Sequence, residues 1–335
     1  MNPKERLFAR MAGVPVDKIP NLNIVMLFAA QHAGIPYGKF TSDYHFLVEA
    51  QLKTAVDFGI DILSTMSDPF RETCDFGAPV RFVEDDLPVC EKSVLLDISD
   101  WQKLRKWDPM TSVRTLDRIR AVEMFKREMG EEYAILGWVE GAFAQLCDLA
   151  TVGDGMMMVM DEPEEASKAL RFIADQEIMC AKAQIAAGAD IIGIGDAVAS
   201  LISVDMYREL IMPTEKHIID AVHQAGAKVK LHICGDITRL LPDMLSLGAD
   251  IVDIDYMVDY AKTVALSGER SAVCGNLNPA GTLLQGSPDL VREQTMACVA
   301  QGDSRSIISS GCEVPRFTPP ENVMAVHNTL KEVAG

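Results

Sequence analysis

The 335-residue chain reads as an α/β protein, a (β/α)8 TIM barrel with an elaborated loop region after its second strand. Three observations predict this. First, a phrase recurs: Gly59-Ile-Asp-Ile-Leu leads to Asp68, Gly188-Ala-Asp-Ile-Ile to Asp196, and Gly248-Ala-Asp-Ile-Val to Asp255. In each, a glycine closes an amphipathic helical stretch and a short apolar strand opens. Second, apolar strands alternating with helices call for a parallel sheet buried on both faces. Third, eight such strands can be placed, and right-handed crossovers close eight into a barrel. A doubly wound open sheet is the runner-up. Residues 24–35 offer no glycine-rich phosphate loop after the first strand, which argues against it.

In chain order, strands are expected near 23–28, 61–67, 133–138, 190–195, 228–234, 250–255, 271–275 and 305–310. Ser42 is a candidate cap for a helix through Asp57, and Pro163 opens one reaching Ala187. Ser203 caps a helix to Ala225, Ser287 starts one to Ala300, and Thr318-Pro319 starts the last. Residues 69–131 are too long for one barrel unit. Residues 76–82 and 87–89 suggest a small β excursion, followed by two helices carrying Trp101 and Trp107. No linker or low-complexity tract divides the chain, so residues 1–335 are expected to form a single domain.

Composition excludes several classes. Hydrophobic residues make up 48% and charged residues 24%, enough apolar material for a large core. The net charge of -18 opposes a phosphate-binding surface, and so nucleic acid. The apolar run from Ile24 to Ala30 falls far short of the roughly 20 residues that span a bilayer. With no export signal, a cytoplasmic location is expected, where thiols stay reduced. The eight cysteines are then core residues, ligands or nucleophiles.

Barrel active sites lie at the C-terminal ends of strands. His232 and Cys234 stand there, two apart, and residues i and i+2 of a strand point to one side. Val229, Leu231 and Ile233 form the opposite face. Lys228 and Lys230 share the inward face and need carboxylate partners if buried. Cys312, after the eighth strand, supplies a third donor on the same rim. A Cys2His set with one open position marks catalytic rather than structural zinc, and there are no paired Cys-x-x-Cys knuckles. Cys147, Cys180 and Cys298 fall in helical patterns, Cys74 and Cys90 in the excursion, and Cys274 is a minor rival to Cys312. Among the rim carboxylates Asp68, Glu140, Asp196, Asp253 and Asp255, the choices for a catalytic role are Glu140 and Asp255. The alternative for each is a carboxylate satisfied by backbone N–H groups.

These residues resemble the zinc methyltransferases of the uroporphyrinogen decarboxylase superfamily, which move methyl groups to or from a corrinoid protein. The likeness spans nearly the whole chain. It is carried by Gly137-Trp-Val-Glu-Gly-Ala-Phe, Gly195-Asp196 with Ser200-Leu-Ile, His232-Ile-Cys234-Gly-Asp, Gly275-Asn276-Leu-Asn-Pro and Gly311-Cys312-Glu-Val-Pro. The resemblance implies Zn2+ on His232, Cys234 and Cys312, with Asp68, Arg71, Trp138, Asp196, Tyr256 and Asn276 around the substrate. Phe70, Trp138, Phe143 and Tyr256 are the residues for an aryl pocket.

The chain looks most like the methyltransferase I component of bacterial aryl-ether O-demethylases. There zinc polarises an ether oxygen while cob(I)alamin takes the methyl group. The alternative is methylcorrinoid:thiol transfer of the coenzyme M type, in which zinc holds a thiolate nucleophile. True decarboxylases carry an arginine-rich segment after the first strand, and residues 23–34 contain no arginine, so that activity is disfavoured. The corrinoid-binding pattern Asp-x-His-x-x-Gly has its nearest match at Asp43-Tyr-His45-Phe-Leu-Val48, without the glycine. Cobalamin is therefore expected on a separate partner corrinoid protein. A homodimer is allowed by the sequence but not required. A zinc-binding module without catalysis is the non-enzyme reading, and an open coordination position argues against it.

Overall fold

The computed structural model describes residues 1–333. Seven parallel strands form the main sheet: β1 (Ile62–Ser64), β4 (Ala134–Glu140), β5 (Ile191–Gly195), β6 (Lys228–Ile233), β7 (Ile251–Ile254), β8 (Ala272–Leu277) and β9 (Ile307–Ser310). They are paired in that order. β2 (Val80–Arg81) and β3 (Val89–Cys90) make a separate antiparallel hairpin. Helices connect the strands, and the buried apolar side chains form one contiguous cluster. The helix Pro163–Ala187 begins and ends where the sequence places it, opened by proline and closed by Gly188 with φ +116°.

The expected strand at 23–28 is a correction. The barrel closes there through extended chain with a single bridge, Asn21 to Ile308. Leu22 N donates to Ile308 O (3.0 Å), Ile308 N to Pro20 O (3.2 Å), and Asp61 N to Asn21 O (2.8 Å). Asparagine side chains then take over the ladder. Asn21 Oδ1 accepts from Asn23 N (3.1 Å), and Asn23 Oδ1 accepts from Ser310 N (2.7 Å). Such local side-chain bonds compete with strand pairing. The chain turns at once into the helix Leu27–Ala33.

Two smaller expectations also shift. Asp43, not Ser42, caps the helix Tyr44–Phe58, because Ser42 closes the preceding helix Tyr37–Ser42. Trp101 sits in the 3-10 turn Ile98–Lys103, whereas Trp107 lies in irregular chain before the helix Val113–Met129. That helix ties the excursion to the rim through buried cations. Arg114 Nη2 donates to Asp68 (2.7 Å), Arg71 Nη1 to Asp117 (2.8 Å), and Arg118 pairs with Glu72. Among the described residues, no helix is long and apolar enough to cross a membrane.

The glycines of β5 shape the barrel interior. A Cβ at Gly193 would collide with the Trp138 indole, and one at Gly195 would lie 2.6 Å from Trp138 Cζ2. The bare backbone lets the indole of β4 lie across β5. Gly193→Ala should therefore destabilise the fold by about 1–3 kcal/mol, as overpacked cores do. Urea unfolding checks this, and a variant as stable as the parent would mean that the indole repacks freely.

Candidate metal centre

The sheet register builds the centre. It sets His232 of β6 opposite Asp253 of β7 and Gly195 of β5. His232 Nδ1 lies 3.2 Å from Asp253 Oδ2 and 3.3 Å from Asp253 O, which leaves Nε2 facing the open end. Asp253 also pairs with Lys230, buried on the same face of β6. This supplies the carboxylate partner that an inward lysine requires. Lys228 stands at the exposed start of β6 and pairs with Asp250 (2.8 Å). Past β6, Gly235 N donates to Asp255 Oδ2 (2.9 Å), pinning the turn that carries Cys234. Past β9, a side chain at Gly311 would strike the backbone at Tyr256, so glycine lets the Cys312 segment approach the β7 loop.

His232 Nε2 is 3.1 Å from Cys234 Sγ, and the Cys234 and Cys312 sulfurs are 3.7 Å apart. The three donor atoms lie within 4.8 Å of one another. Tetrahedral zinc with Zn–S near 2.3 Å separates two thiolates by about 3.8 Å. The chemistry of the set, two soft sulfurs and one imidazole nitrogen, also suits zinc. The residues therefore fit the ion.

Charge at the centre is arranged without the ion. Burial opposes a proton on His232, but the Asp253 carboxylate outweighs it and pushes the imidazole up to about 10. The hydrogen bond from Cys234 brings the Cys312 thiol down to about 4 against burial, with His232 adding to the effect. Cys234, hydrogen-bonded to Cys312 and largely buried, is pushed up. Near pH 7 two protons, one on His232 and one shared by the cysteine pair, leave when zinc binds. Uptake of zinc should release about two protons per chain, and affinity should strengthen as pH rises toward the His232 value. Base consumption in weakly buffered solution measures this. Zinc uptake with no proton release would contradict these protonation states.

The donors stand at the wall of a cavity of about 260 Å³, shared with Trp138, Glu140, Asp68 and Glu313. Trp138 Nε1 donates to Glu140 Oε1 (3.0 Å). Burial, and then Glu72 and Asp148, hold the Glu140 carboxyl well above the usual carboxylate range. Asp68 stays below its ordinary value despite burial, because Arg114 and Arg71 flank it.

The other expected site residues lie elsewhere. Arg71 is fully buried beneath the rim, donating to Ser67 Oγ (2.7 Å) and Asp117. Asp196 is buried behind the wall, where Oδ1 accepts from Ala144 N (2.9 Å) and burial pushes the carboxyl up to about 7. Tyr256 and Asn276 border a separate depression, and Asn276 Nδ2 donates to Val258 O (2.7 Å). Asp255 accepts from backbone and does not line the cavity. Of the four aromatic residues expected at an aryl pocket, only Trp138 reaches the wall.

Two residues escaped the sequence reading. Asp253 reads as a rim carboxylate in the sequence, and only the register joins it to His232. Glu313 follows Cys312 into the cavity, and its Oε1 accepts from Leu27 N (2.7 Å). Its position beside a candidate ligand was the available signal.

An α/β barrel with two thiol sulfurs and an imidazole nitrogen converging at its strand ends, opening on a cavity, defines a barrel protein with an open metal-type site. The chain belongs to the uroporphyrinogen decarboxylase (URO-D) family, whose profile matches residues 2–333. It is 28% identical to the methylcobamide:CoM methyltransferase MtbA of Methanosarcina acetivorans, over 98% of this chain and 97% of that protein. It is 24% identical to a uroporphyrinogen decarboxylase of Carboxydothermus hydrogenoformans, over 86% of this chain and 83% of that protein. A methyltransferase structure from Methanosarcina mazei shares the fold, with TM-score 0.90, 22% identity and 99% of both chains covered.

Proposed function

We propose that the chain is a zinc-dependent methyltransferase that passes a methyl group from a corrinoid on a separate protein to a thiol. The observation that carries this is the open His232, Cys234, Cys312 set, with its sulfurs 3.7 Å apart at a cavity wall. From the sequence alone an aryl methyl ether comes first and a thiol second. The relatives support the reverse order, because a methylcobamide:CoM methyltransferase matches along nearly its full length. The aryl pocket also keeps only one of its four aromatic residues. Decarboxylation of a polycarboxylate is disfavoured: among the described residues, no arginine or lysine lines the cavity.

Zinc bound by His232, Cys234 and Cys312 would lower the pKa of a thiol so that the thiolate nucleophile exists at neutral pH. The chain's own groups prepare that site. Asp253 fixes the His232 ring through Nδ1 and presents Nε2. Asp255 holds the Gly235 N–H and with it the Cys234 turn. Glu140, steadied by the Trp138 indole, relays the entering thiol's proton to solvent, its carbonyl oxygen taking that proton as its O–H gives one up. Glu140→Gln should keep zinc and slow methyl transfer by about 100-fold or more. Turnover equal to the parent's would leave Glu140 a structural role only.

The test mixes zinc-loaded chain with methylcobalamin and 2-mercaptoethanol and follows the corrinoid spectrum and the methyl thioether. Thioether formation that depends on zinc supports the proposal. Methylcobalamin produced from cob(I)alamin and an aryl methyl ether, with no thiol reaction, would restore the ether reading.

A further inference from the structure

We infer that the thiol served by this site has a tail without negative charge. The inference rests on the thiol reading above and deepens it. Around the cavity, among the described residues, the only side chain with an ionisable nitrogen is His232, which belongs to the donor set. The other walls are apolar, including Ile24, Met26, Met66 and Leu87, or carry the carboxyls of Asp68, Glu140 and Glu313.

Each cation behind or near the wall already pairs with a carboxylate. Arg114 donates to Asp68 (2.7 Å), Arg71 to Asp117 (2.8 Å), and Arg118 is paired with Glu72. Lys230 is paired with Asp253, and Arg316 on the loop past β9 is held by Asp85 (2.6 Å). Lending any of the buried four to a ligand would strip an internal carboxylate of its partner, which is strongly unfavourable. A sulfonate or carboxylate tail would therefore enter an apolar wall, next to three carboxyl groups, with no counter-ion. A hydroxyl or ammonium tail meets the opposite situation. The carboxyl oxygens of Asp68, Glu140 and Glu313 accept hydrogen bonds. Since no arginine or lysine among the described residues lines the wall to pair with an anion, this chain differs in acceptor charge from relatives named for coenzyme M, which is 2-mercaptoethanesulfonate.

The test is calorimetric titration of the zinc-loaded full chain with three thiols that share one two-carbon stem. They are 2-mercaptoethanol, cysteamine and 2-mercaptoethanesulfonate, each corrected for ionisation of its own thiol. The neutral or the cationic thiol should bind at least about tenfold more tightly than the sulfonate. Equal or tighter binding of the sulfonate overturns the inference and leaves the thiol reading standing. Failure of all three to bind a chain that holds zinc overturns both.

Discussion

Cys234→Ala and Cys312→Ala should each drop bound zinc from about one ion per chain to near none, because two protein donors are too few to hold it. Both sulfurs belong to segments that follow a strand, and neither cysteine is fully buried. The buried apolar cluster lies in the strands and helices beneath them. Compared in their metal-free forms, the variants should unfold within about 2–4 °C of the parent. The metal-free comparison matters, since an ion bound only to the folded chain raises its apparent stability. Metal analysis after dialysis, beside a thermal scan, gives both numbers. A variant that keeps a full equivalent of zinc would remove that cysteine from the donor set.

Asp253→Asn should be the most damaging single change near the centre. Asp253 is 0% exposed and Lys230 is 1% exposed, and the two are paired. Removing one partner strands the other charge in the interior, at a cost of about 3–5 kcal/mol. The same change loosens the His232 ring, which should weaken zinc about 10- to 100-fold. The two effects separate in the double variant Asp253→Asn/Lys230→Met. It removes both charges, so stability in urea should recover while zinc affinity stays low. Recovery of zinc affinity along with stability would show that Asp253 acts on the fold alone.

The donors themselves are legible in sequence: the spacing of His232 and Cys234 aims both side chains one way, and the barrel order brings Cys312 to the same rim. The barrel is legible because seven of its strands are short apolar runs after a helix end. The eighth is not, because Asn21 and Asn23 replace ladder bonds with side-chain bonds that no hydrophobic pattern reports. The partnership of Asp253 with His232 is a matter of register between β6 and β7, and a register across a helical connection carries no local signal. Tyr256 and Asn276 show a related limit. Their places at strand ends are readable, but the course of the β7 loop, which carries Tyr256 away from the cavity, is not.

The central claim is an open three-donor zinc site that accepts a thiol. X-ray absorption at the zinc edge tests it most directly, on zinc-loaded chain with and without 2-mercaptoethanol. The donor set predicts two sulfur scatterers and one imidazole nitrogen on the ion in the free chain, contributed by Cys234, Cys312 and His232. Adding the thiol should bring in a third sulfur near 2.3 Å, the usual Zn–S distance. An unchanged sulfur count with thiol present, or a zinc shell without two protein sulfurs, would contradict it.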